Sequence, residues 1–215
     1  MISRRSLMFS GIAAMAGLVA PAAFAASPMP MLAPANPKRA GSVLDELAPS
    51  IQPFLSLKNS NTSEVYEGSY FRDGAYDMDQ VLKLNWFMRD WRQSEAVLMD
   101  VRLFWALSAM RQAAMKDGHD GRIIFNSGYR TKRTNDRLEG AARNSMHLRG
   151  QASDFKIPGI PTELVYRYAA WLDVGGVGHY PGRFIHIDTG SERTWTGSLS
   201  HRILSEAITP HSAFA

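Results

Sequence analysis

The sequence contains no cysteine. This absence excludes disulfide bridges, thiolate metal ligands and a cysteine nucleophile. The chain also lacks a strong excess of either charge, since its formal net charge is only +4 over 215 residues, and we therefore expect no nucleic-acid partner. A domain without disulfides must be stabilised by its hydrophobic core, and a chain of this length is long enough to bury one.

Long hydrophobic runs are also missing. The longest apolar stretch, Met8–Val19, is shorter than the roughly 20 residues that a membrane-spanning helix needs. It follows Arg4 and Arg5 and precedes a small-x-small cleavage pattern at 23–25, so we interpret residues 1–25 as an export signal. Adjacent arginines favour the twin-arginine (Tat) translocase as the export partner over the Sec route. We expect a periplasmic protein with no stable membrane insertion after cleavage.

Composition divides the rest of the chain into three parts. Residues 26–45 are rich in proline, alanine and other small residues, which is typical of a flexible tether. Residues 46–198 carry the periodic hydrophobic pattern of a single folded domain. Residues 199–215 form a polar tail that we expect to be poorly ordered.

Within the domain, the hydrophobic periodicity predicts both strands and helices. Period-two alternation predicts a β-hairpin, and helical spacing predicts three helices, the last with Thr162 as a possible N-cap. We expect a strand at 122–127 followed by a polar loop up to Asn144. The predicted hairpin strands are Phe54–Lys58 and Glu64–Tyr70, and the predicted helices are Asp79–Trp91, Asp100–Met115 and Thr162–Leu172.

The most informative stretch has the pattern Ser-x-His-x-x-Gly-x-Ala-x-Asp and begins at Ser145. Gly150 allows the chain to turn after His147, because glycine adopts positive φ at little cost. The residues that follow alternate like a short strand, which places Ala152 on the same face as Asp154. The small alanine side chain leaves room beside Asp154 for a metal ion.

A second segment, Arg183–Gly190, supplies another histidine. Strand alternation places His186 and Asp188 on one face and the intervening isoleucines on the other. Two histidines and one carboxylate are a common ligand set for catalytic zinc, which keeps a fourth position for water. We therefore interpret His147, Asp154 and His186 as ligands of one zinc ion per chain.

These segments together resemble the zinc D-Ala-D-Ala peptidase group, whose fold is shared with lysostaphin-type peptidases and the hedgehog signalling domain. More narrowly, they resemble its Tat-exported murein endopeptidase branch, of the murein endopeptidase K type. The likeness extends from about Ser63 to Trp195. The motifs that carry it are Ser127–Arg130, Asn144–Asp154, Gly175–Gly178 and His186–Gly190.

The resemblance implies a periplasmic zinc peptidase, an endopeptidase or a carboxypeptidase, that hydrolyses the crosslinks between peptidoglycan peptide stems with a metal-activated water molecule. We expect an α+β fold in which a small antiparallel sheet carries the zinc site and packs against helices. By the same resemblance, Arg130 holds substrate and developing charge. Ser145 and Tyr129 match substrate-contacting positions.

Two departures from the wider group leave the general base open. Many relatives carry an acid three residues before the last histidine, where this chain has Arg183, and a histidine where it has Phe184. Asp188 and His179 are the candidate bases, although Asp188 could instead orient a ligand histidine. The alternative function is a non-catalytic, zinc-containing module that binds cell-wall peptides.

Overall fold

The computed structural model describes residues 41–197 of the chain. The predicted export signal, residues 26–40 of the predicted tether and the predicted polar tail lie outside these residues. None of the helices within the described part is both long and apolar enough to cross a membrane.

A seven-stranded mixed sheet forms the centre of the domain, with strand order β2-β1-β5-β6-β8-β7-β9. Its strands are β1 (Phe54–Asn59), β2 (Val65–Ser69), β5 (Ile123–Ser127), β6 (Ala152–Lys156), β7 (Gly176–Tyr180), β8 (Phe184–Asp188) and β9 (Arg193–Thr196). Two short strands, β3 (Phe71–Arg72) and β4 (Ala75–Tyr76), pair separately.

Most neighbouring strands of the large sheet are antiparallel, as predicted, but β1–β5 and β7–β9 are parallel. The predicted small antiparallel sheet is therefore larger and mixed. Parallel neighbours need a long crossover connection, and the chain between β1 and β5 provides one that contains β2–β4 and the two helices Met78–Phe87 and Val101–Lys116. The predicted hairpin is confirmed, with Leu57 opposite Tyr66.

Five α-helices and two 3₁₀ turns complete the described part of the domain. The helices are α1 (Val43–Leu47), α2 (Met78–Phe87), α3 (Val101–Lys116), α4 (Lys132–Arg137) and α5 (Thr162–Leu172), and the 3₁₀ turns are Ala48–Ser50 and Met146–Arg149. Together with the sheet they give the predicted α+β architecture.

The core lies between the helices and one face of the sheet. Helix α3 is almost completely buried, and Phe104 and Leu107 have no exposed surface. Helical spacing of apolar residues places Val81, Leu84 and Trp86 in the predicted helix 79–91, but only Val81 and Leu84 are buried, while Trp86 is 52% exposed. Thus the hydrophobic period located this helix but did not identify every inward-facing residue.

Two local predictions need correction. The polar loop predicted before Asn144 contains α4, which begins after Thr131 because this side chain accepts a hydrogen bond from the backbone N–H of Thr134. The N-cap of α5 is Pro161 and makes no side-chain cap. The hydroxyl of Thr162 instead accepts a hydrogen bond of 3.0 Å from the backbone N–H of Gly182.

The folded domain begins earlier than the predicted boundary at residue 46. Ser42 and Asp45 form a capping box at the start of α1, which satisfies otherwise unpaired N–H groups. Arg102 of α3 donates a 2.7 Å hydrogen bond to Asp45 and a 2.8 Å hydrogen bond to Ser42. Leu44 is completely buried in the core, so residues 42–45 are part of the domain rather than of the tether.

We expect Leu44→Ala to lower the free energy of unfolding by about 2–5 kcal/mol, because it removes a buried side chain and leaves a cavity. Glu46→Ala changes an exposed residue of the same helix and should alter stability by no more than about 0.5 kcal/mol. Urea denaturation of both variants tests this prediction. Equal stability of the two variants would contradict the assignment of α1 to the core.

Candidate active site

Three elements bring together the predicted metal ligands. His147 lies in the 3₁₀ turn Met146–Arg149, which ends at Gly150 in the left-handed conformation with φ +67°. A left-handed turn there favours glycine, as predicted. Asp154 of β6 lies directly opposite His186 of β8 in an antiparallel register, and directly opposite residues project to the same face of a sheet.

The three side chains form a compact, buried cluster. Their ligand atoms all lie within 4.8 Å of one another. Asp154 Oδ1 is 2.8 Å from His186 Nδ1 and 3.3 Å from His147 Nε2, and the two histidine nitrogens are 3.2 Å apart. Two imidazole nitrogens and a carboxylate oxygen converging on one point fit a tetrahedral divalent metal ion with an open position.

Hydrogen bonds behind the cluster determine which nitrogen of each histidine faces it. His147 Nδ1 is 2.6 Å from the carbonyl oxygen of Gly128, so Nδ1–H donates and Nε2 remains available as a ligand. His186 Nε2 is 2.9 Å from Asp188 Oδ2, so this nitrogen donates away from the cluster and Nδ1 is directed into it.

Asp188 is fully buried and receives several hydrogen bonds. Besides His186, Arg193 donates to both of its oxygens at 2.6 and 3.1 Å. The backbone N–H groups of Gly176 and Gly190 donate to Oδ1 at 3.2 and 2.9 Å. Because Asp188 lies behind His186 and its oxygens are occupied, the geometry favours the orienting role over the general-base role.

The pKa shifts of the cluster follow from these contacts. Burial, with the positive charge of Arg130, lowers the pKa of His147 to about 4, so this ligand is neutral at pH 7. Burial alone would lower the pKa of His186, but Asp154 and Asp188 together raise it. A metal ion would replace the proton on His186 Nδ1, because metal ligands must be deprotonated.

The two carboxylates are held in the ionised form. Burial alone would raise the pKa of Asp188, but hydrogen bonds from His186 and the charge of Arg193 lower it to about 2. The pKa of Asp154 is likewise lowered despite burial, by His147 and Arg130. An ionised carboxylate is the form that binds a metal ion.

The cluster lies at the wall of a groove with a volume of about 1030 Å³. Its lining includes residues of the sheet strands and residues of the segment from Leu138 to Met146. A groove of this size is sufficient for an extended peptide or another ligand of similar dimensions. The arrangement therefore combines a cluster of residues that could hold a metal ion with an open groove beside it.

Comparison with known proteins identifies the family. A family model described as peptidoglycan L,D-endopeptidase MepK matches residues 49–195. The chain belongs to this family. The resemblance to M15-type murein endopeptidases of the MepK kind that the motifs indicated is thus confirmed.

Individual relatives agree with the family match. Peptidoglycan L,D-endopeptidase MepK of Escherichia coli strain K12 is 37% identical over 146 residues, which cover 66% of this chain and 79% of that protein. The probable peptidoglycan L,D-endopeptidase MepK of Haemophilus influenzae is 35% identical over 161 residues, covering 73% of this chain and 86% of that protein. No solved structure gives a significant match.

Within this peptidase-family site, Arg130 contacts a predicted ligand. Its guanidinium donates to Asp154 Oδ2 and, at 2.8 Å, to the hydroxyl of Ser127. The side chain is 16% exposed and lines the groove. The sequence-based prediction of a positive charge in the site agrees with this position, and the partner is Asp154 rather than a surface acid.

His179 is not in the site, contrary to the prediction that it could serve as general base. It lies opposite Ile185 in the β7–β8 register, whereas Gly178 lies opposite His186. Strand alternation therefore directs His179 to the other face of the sheet. There its ring stacks on Tyr166 with centroids 5.1 Å apart, and Nε2 is 3.0 Å from the hydroxyl of Thr162.

The predicted substrate-contacting residues separate into two groups. Ser145 lines the groove, and its hydroxyl accepts a hydrogen bond of 3.4 Å from the backbone N–H of His147. Ser145 therefore also caps the turn that carries a ligand. Tyr129 packs against the hydrophobic core and is absent from the groove lining, so the prediction of substrate contact finds no support for Tyr129.

Two residues of β9 belong to the site but were not predicted. Arg193 binds Asp188, and the ring of Trp195 lies 5.3 Å from that of His186. The glycines of β7 make room for them: a Cβ on Gly176 would lie 2.5 Å from Arg193, and one on Gly178 would lie 2.6 Å from Trp195. In the sequence, the alternate spacing of Gly176 and Gly178 was the feature that could have indicated large side chains packed against this strand.

We expect Arg193→Gln to lower the metal-ion affinity by roughly tenfold, because the loss of a group that supports a ligand typically weakens metal binding by 10- to 100-fold. Arg193→Lys should recover part of the affinity. Chelator competition with Zn²⁺ measures the effect. Arg72→Gln is the control, since Arg72 forms an exposed ion pair of 2.8 Å with Asp77. Parent-like affinity of Arg193→Gln would contradict the positioning role.

Proposed function

We propose that the chain is a zinc-dependent peptidoglycan L,D-endopeptidase that cleaves peptide crosslinks. The observation that carries the proposal is the buried cluster of His147, Asp154 and His186 at the wall of a groove. The family match and the names of the relatives supply the substrate class. The donor set of two histidines and one carboxylate favours zinc.

When bound at this cluster, zinc would activate a water molecule and polarise the scissile carbonyl group. The protein contributes the orientation of the ligands. The Gly128 carbonyl holds His147, the Asp188 carboxylate holds His186, and the Arg130 guanidinium holds Asp154. Such supporting contacts fix the tautomer and the direction of each ligand.

Arg130 has a second role in the proposed reaction. Attack on an amide carbon places negative charge on the former carbonyl oxygen, and a fixed positive group nearby stabilises that charge. Arg130 lines the groove next to the cluster, and a guanidinium stays protonated at any relevant pH. Its donors are therefore available where the charge develops.

Proton transfer must be assigned without the two predicted bases, because Asp188 lies behind His186 and His179 lies on the other face of the sheet. Among residues 41–197, the carboxylates that line the groove are Asp154 and Glu139. Glu139 lies on the exposed segment after α4. Apart from the proposed ligand Asp154, Glu139 is therefore the carboxylate of the described residues that could exchange a proton with a bound substrate.

The same observation favours a second candidate function. A site whose carboxylates other than Asp154 lie behind His186, as Asp188 does, or on the exposed segment after α4, as Glu139 does, also suits a non-catalytic, zinc-containing module that binds cell-wall peptides. The open groove favours the enzyme, since a structural metal site needs no access for a substrate. Hydrolysis of a crosslinked substrate distinguishes the two functions.

The proposal includes export to the periplasm through the twin-arginine translocase. Replacing Arg4 and Arg5 with lysine should leave unprocessed precursor in the cytoplasm, because this route requires the paired arginines. Cell fractionation followed by immunoblotting measures processing. Replacing Lys38 and Arg39 with the opposite basic residue serves as the control, and normal processing of the Arg4 and Arg5 variant would indicate the Sec route.

For the metal site, we expect His147→Ala and Asp154→Ala each to lose bound zinc, because each removes one of three ligands. Zinc content per chain, measured by atomic emission after gel filtration, is the readout. His119→Ala changes a histidine outside the cluster and should keep its zinc. Full zinc occupancy in both ligand variants would refute the proposed ligand set.

For Arg130, we expect Arg130→Ala to lower kcat on crosslinked muropeptides by on the order of a hundredfold when zinc is saturating, because removing one oxyanion donor has this effect in other enzymes. Arg130→Lys should recover only part, since an ammonium group cannot reproduce the two-pronged guanidinium. A near-normal kcat for Arg130→Ala, with zinc content verified, would exclude the proposed role.

A further inference from the structure

The groove wall carries more positive than negative side chains. Its acidic members are Asp154 and Glu139, and its basic members are Arg92, Arg130, Lys156, Arg183 and Arg193. Three of these cations have contacts of their own, since Arg130 binds Asp154, Arg193 binds Asp188 and Arg92 lies over the ring of Trp91. The basic side chains that pair with the carboxylates of the cluster are therefore only part of the positive charge that lines the groove.

Lys156 and Arg183 contribute the positive charge of the groove that no carboxylate in the described part of the chain neutralises. Within residues 41–197, neither side chain forms an ion pair with a carboxylate. Lys156 ends β6 and is exposed, while Arg183 is the last residue of the turn between β7 and β8 and is half-buried. Both line the groove, so their charges face the space that a substrate would occupy.

The strand register places Lys156 relative to the metal cluster. Phe155 lies opposite Ile185, so the next residue of β6, Lys156, lies beside Phe184 of β8. Alternation puts Lys156 on the same face as Asp154, two residues and therefore about 7 Å further along the strand. An extended peptide has a similar rise, so Lys156 is about two substrate residues from the cluster.

Aromatic rings border the same end of the groove. Tyr180 and Phe184 stack with their centroids 4.5 Å apart, and both line the groove. Phe184 lies between Arg183 and His186 in the chain, and Tyr180 stacks on it from the neighbouring strand β7. An anionic group that enters here meets two cations beside a rigid apolar surface.

From these observations, we propose that Lys156 and Arg183 form a subsite for a substrate carboxylate about two residues from the scissile bond. The inference rests on the proposed function, because it names the part of the peptide stem that this groove recognises. A peptide stem carries a carboxylate on its last residue. Lysine supplies a compact charge and arginine a planar pair of donors, and both suit a carboxylate.

The test compares uncrosslinked stem peptides with free carboxylates and the same peptides with their carboxylates converted to amides. Calorimetric titration into the zinc-loaded mature protein measures binding without any cleavage. We expect the free acid to bind roughly fivefold more tightly than the amide, which is the scale of a partly exposed ion pair. The preference should decrease as salt is raised, because exposed charges are screened.

Lys156→Met and Arg183→Gln should each reduce the preference for the free acid. Lys58→Met is the matched control, since Lys58 is an exposed lysine of strand β1 that does not line the groove. Equal binding of acid and amide to the parent protein would overturn the subsite. The same holds if both groove variants keep the parent's preference.

Cleavage assays separate this inference from the proposed function. If the parent protein prefers the free acid and the groove variants lose that preference, the subsite stands even if no crosslink is hydrolysed. In the cleaving enzyme, Lys156→Met should raise KM for acidic crosslinked muropeptides by a similar factor and leave kcat and zinc content unchanged. A lower kcat with an unchanged KM would assign Lys156 to the reaction rather than to binding.

Discussion

The site depends on one histidine held between two buried carboxylates. His186 faces Asp154 through Nδ1 and Asp188 through Nε2. Burying two carboxylates is costly unless cations and hydrogen bonds compensate. Arg130 and Arg193 supply that compensation from opposite sides. The five side chains thus form one continuous network, and each contact restricts the directions available to its neighbour.

The sheet register makes this network possible. Asp154 and His186 are directly opposite in β6 and β8, and Arg193 is opposite Gly176 in the parallel β7–β9 pair. A shift of one residue in any of these strands would turn its site residue to the helix-covered face. Helix α5 packs against β7 and β8 from that other face, so the hydrophobic core also stabilises the site.

The grouping of His147, Asp154 and His186 could be predicted from the sequence because the signals for it are local. His147 precedes the glycine that ends its turn, and Asp154 and His186 lie in short alternating strands. Residue roles that depend on which distant strands pair, and in which register, were harder to predict from the sequence. His179 and His186 are seven residues apart in one hairpin, and only the register shows that they lie on opposite faces. Arg193 was missed because the parallel pairing of β9 joins it to Asp188.

The same distinction applies to the fold. The hairpin, helix α3 and helix α5 have strong periodic patterns, and the structure contains all three. Helix α4 has a short polar sequence, so it depends on its Thr131 cap and its surroundings more than on hydrophobic period. The parallel pairing of β1 with β5 was not predicted, because strand periodicity does not encode which distant strand is the neighbour.

The central claim is that this site hydrolyses peptidoglycan crosslinks with the help of a metal ion. Its most direct test is digestion of purified L,D-crosslinked muropeptides by the mature protein, with the products identified by mass spectrometry. The account predicts that crosslinked dimers become monomers, that a chelator stops the reaction and that added Zn²⁺ restores it. Intact dimers after incubation with the fully zinc-loaded protein, or cleavage unaffected by removal of the metal, would contradict it.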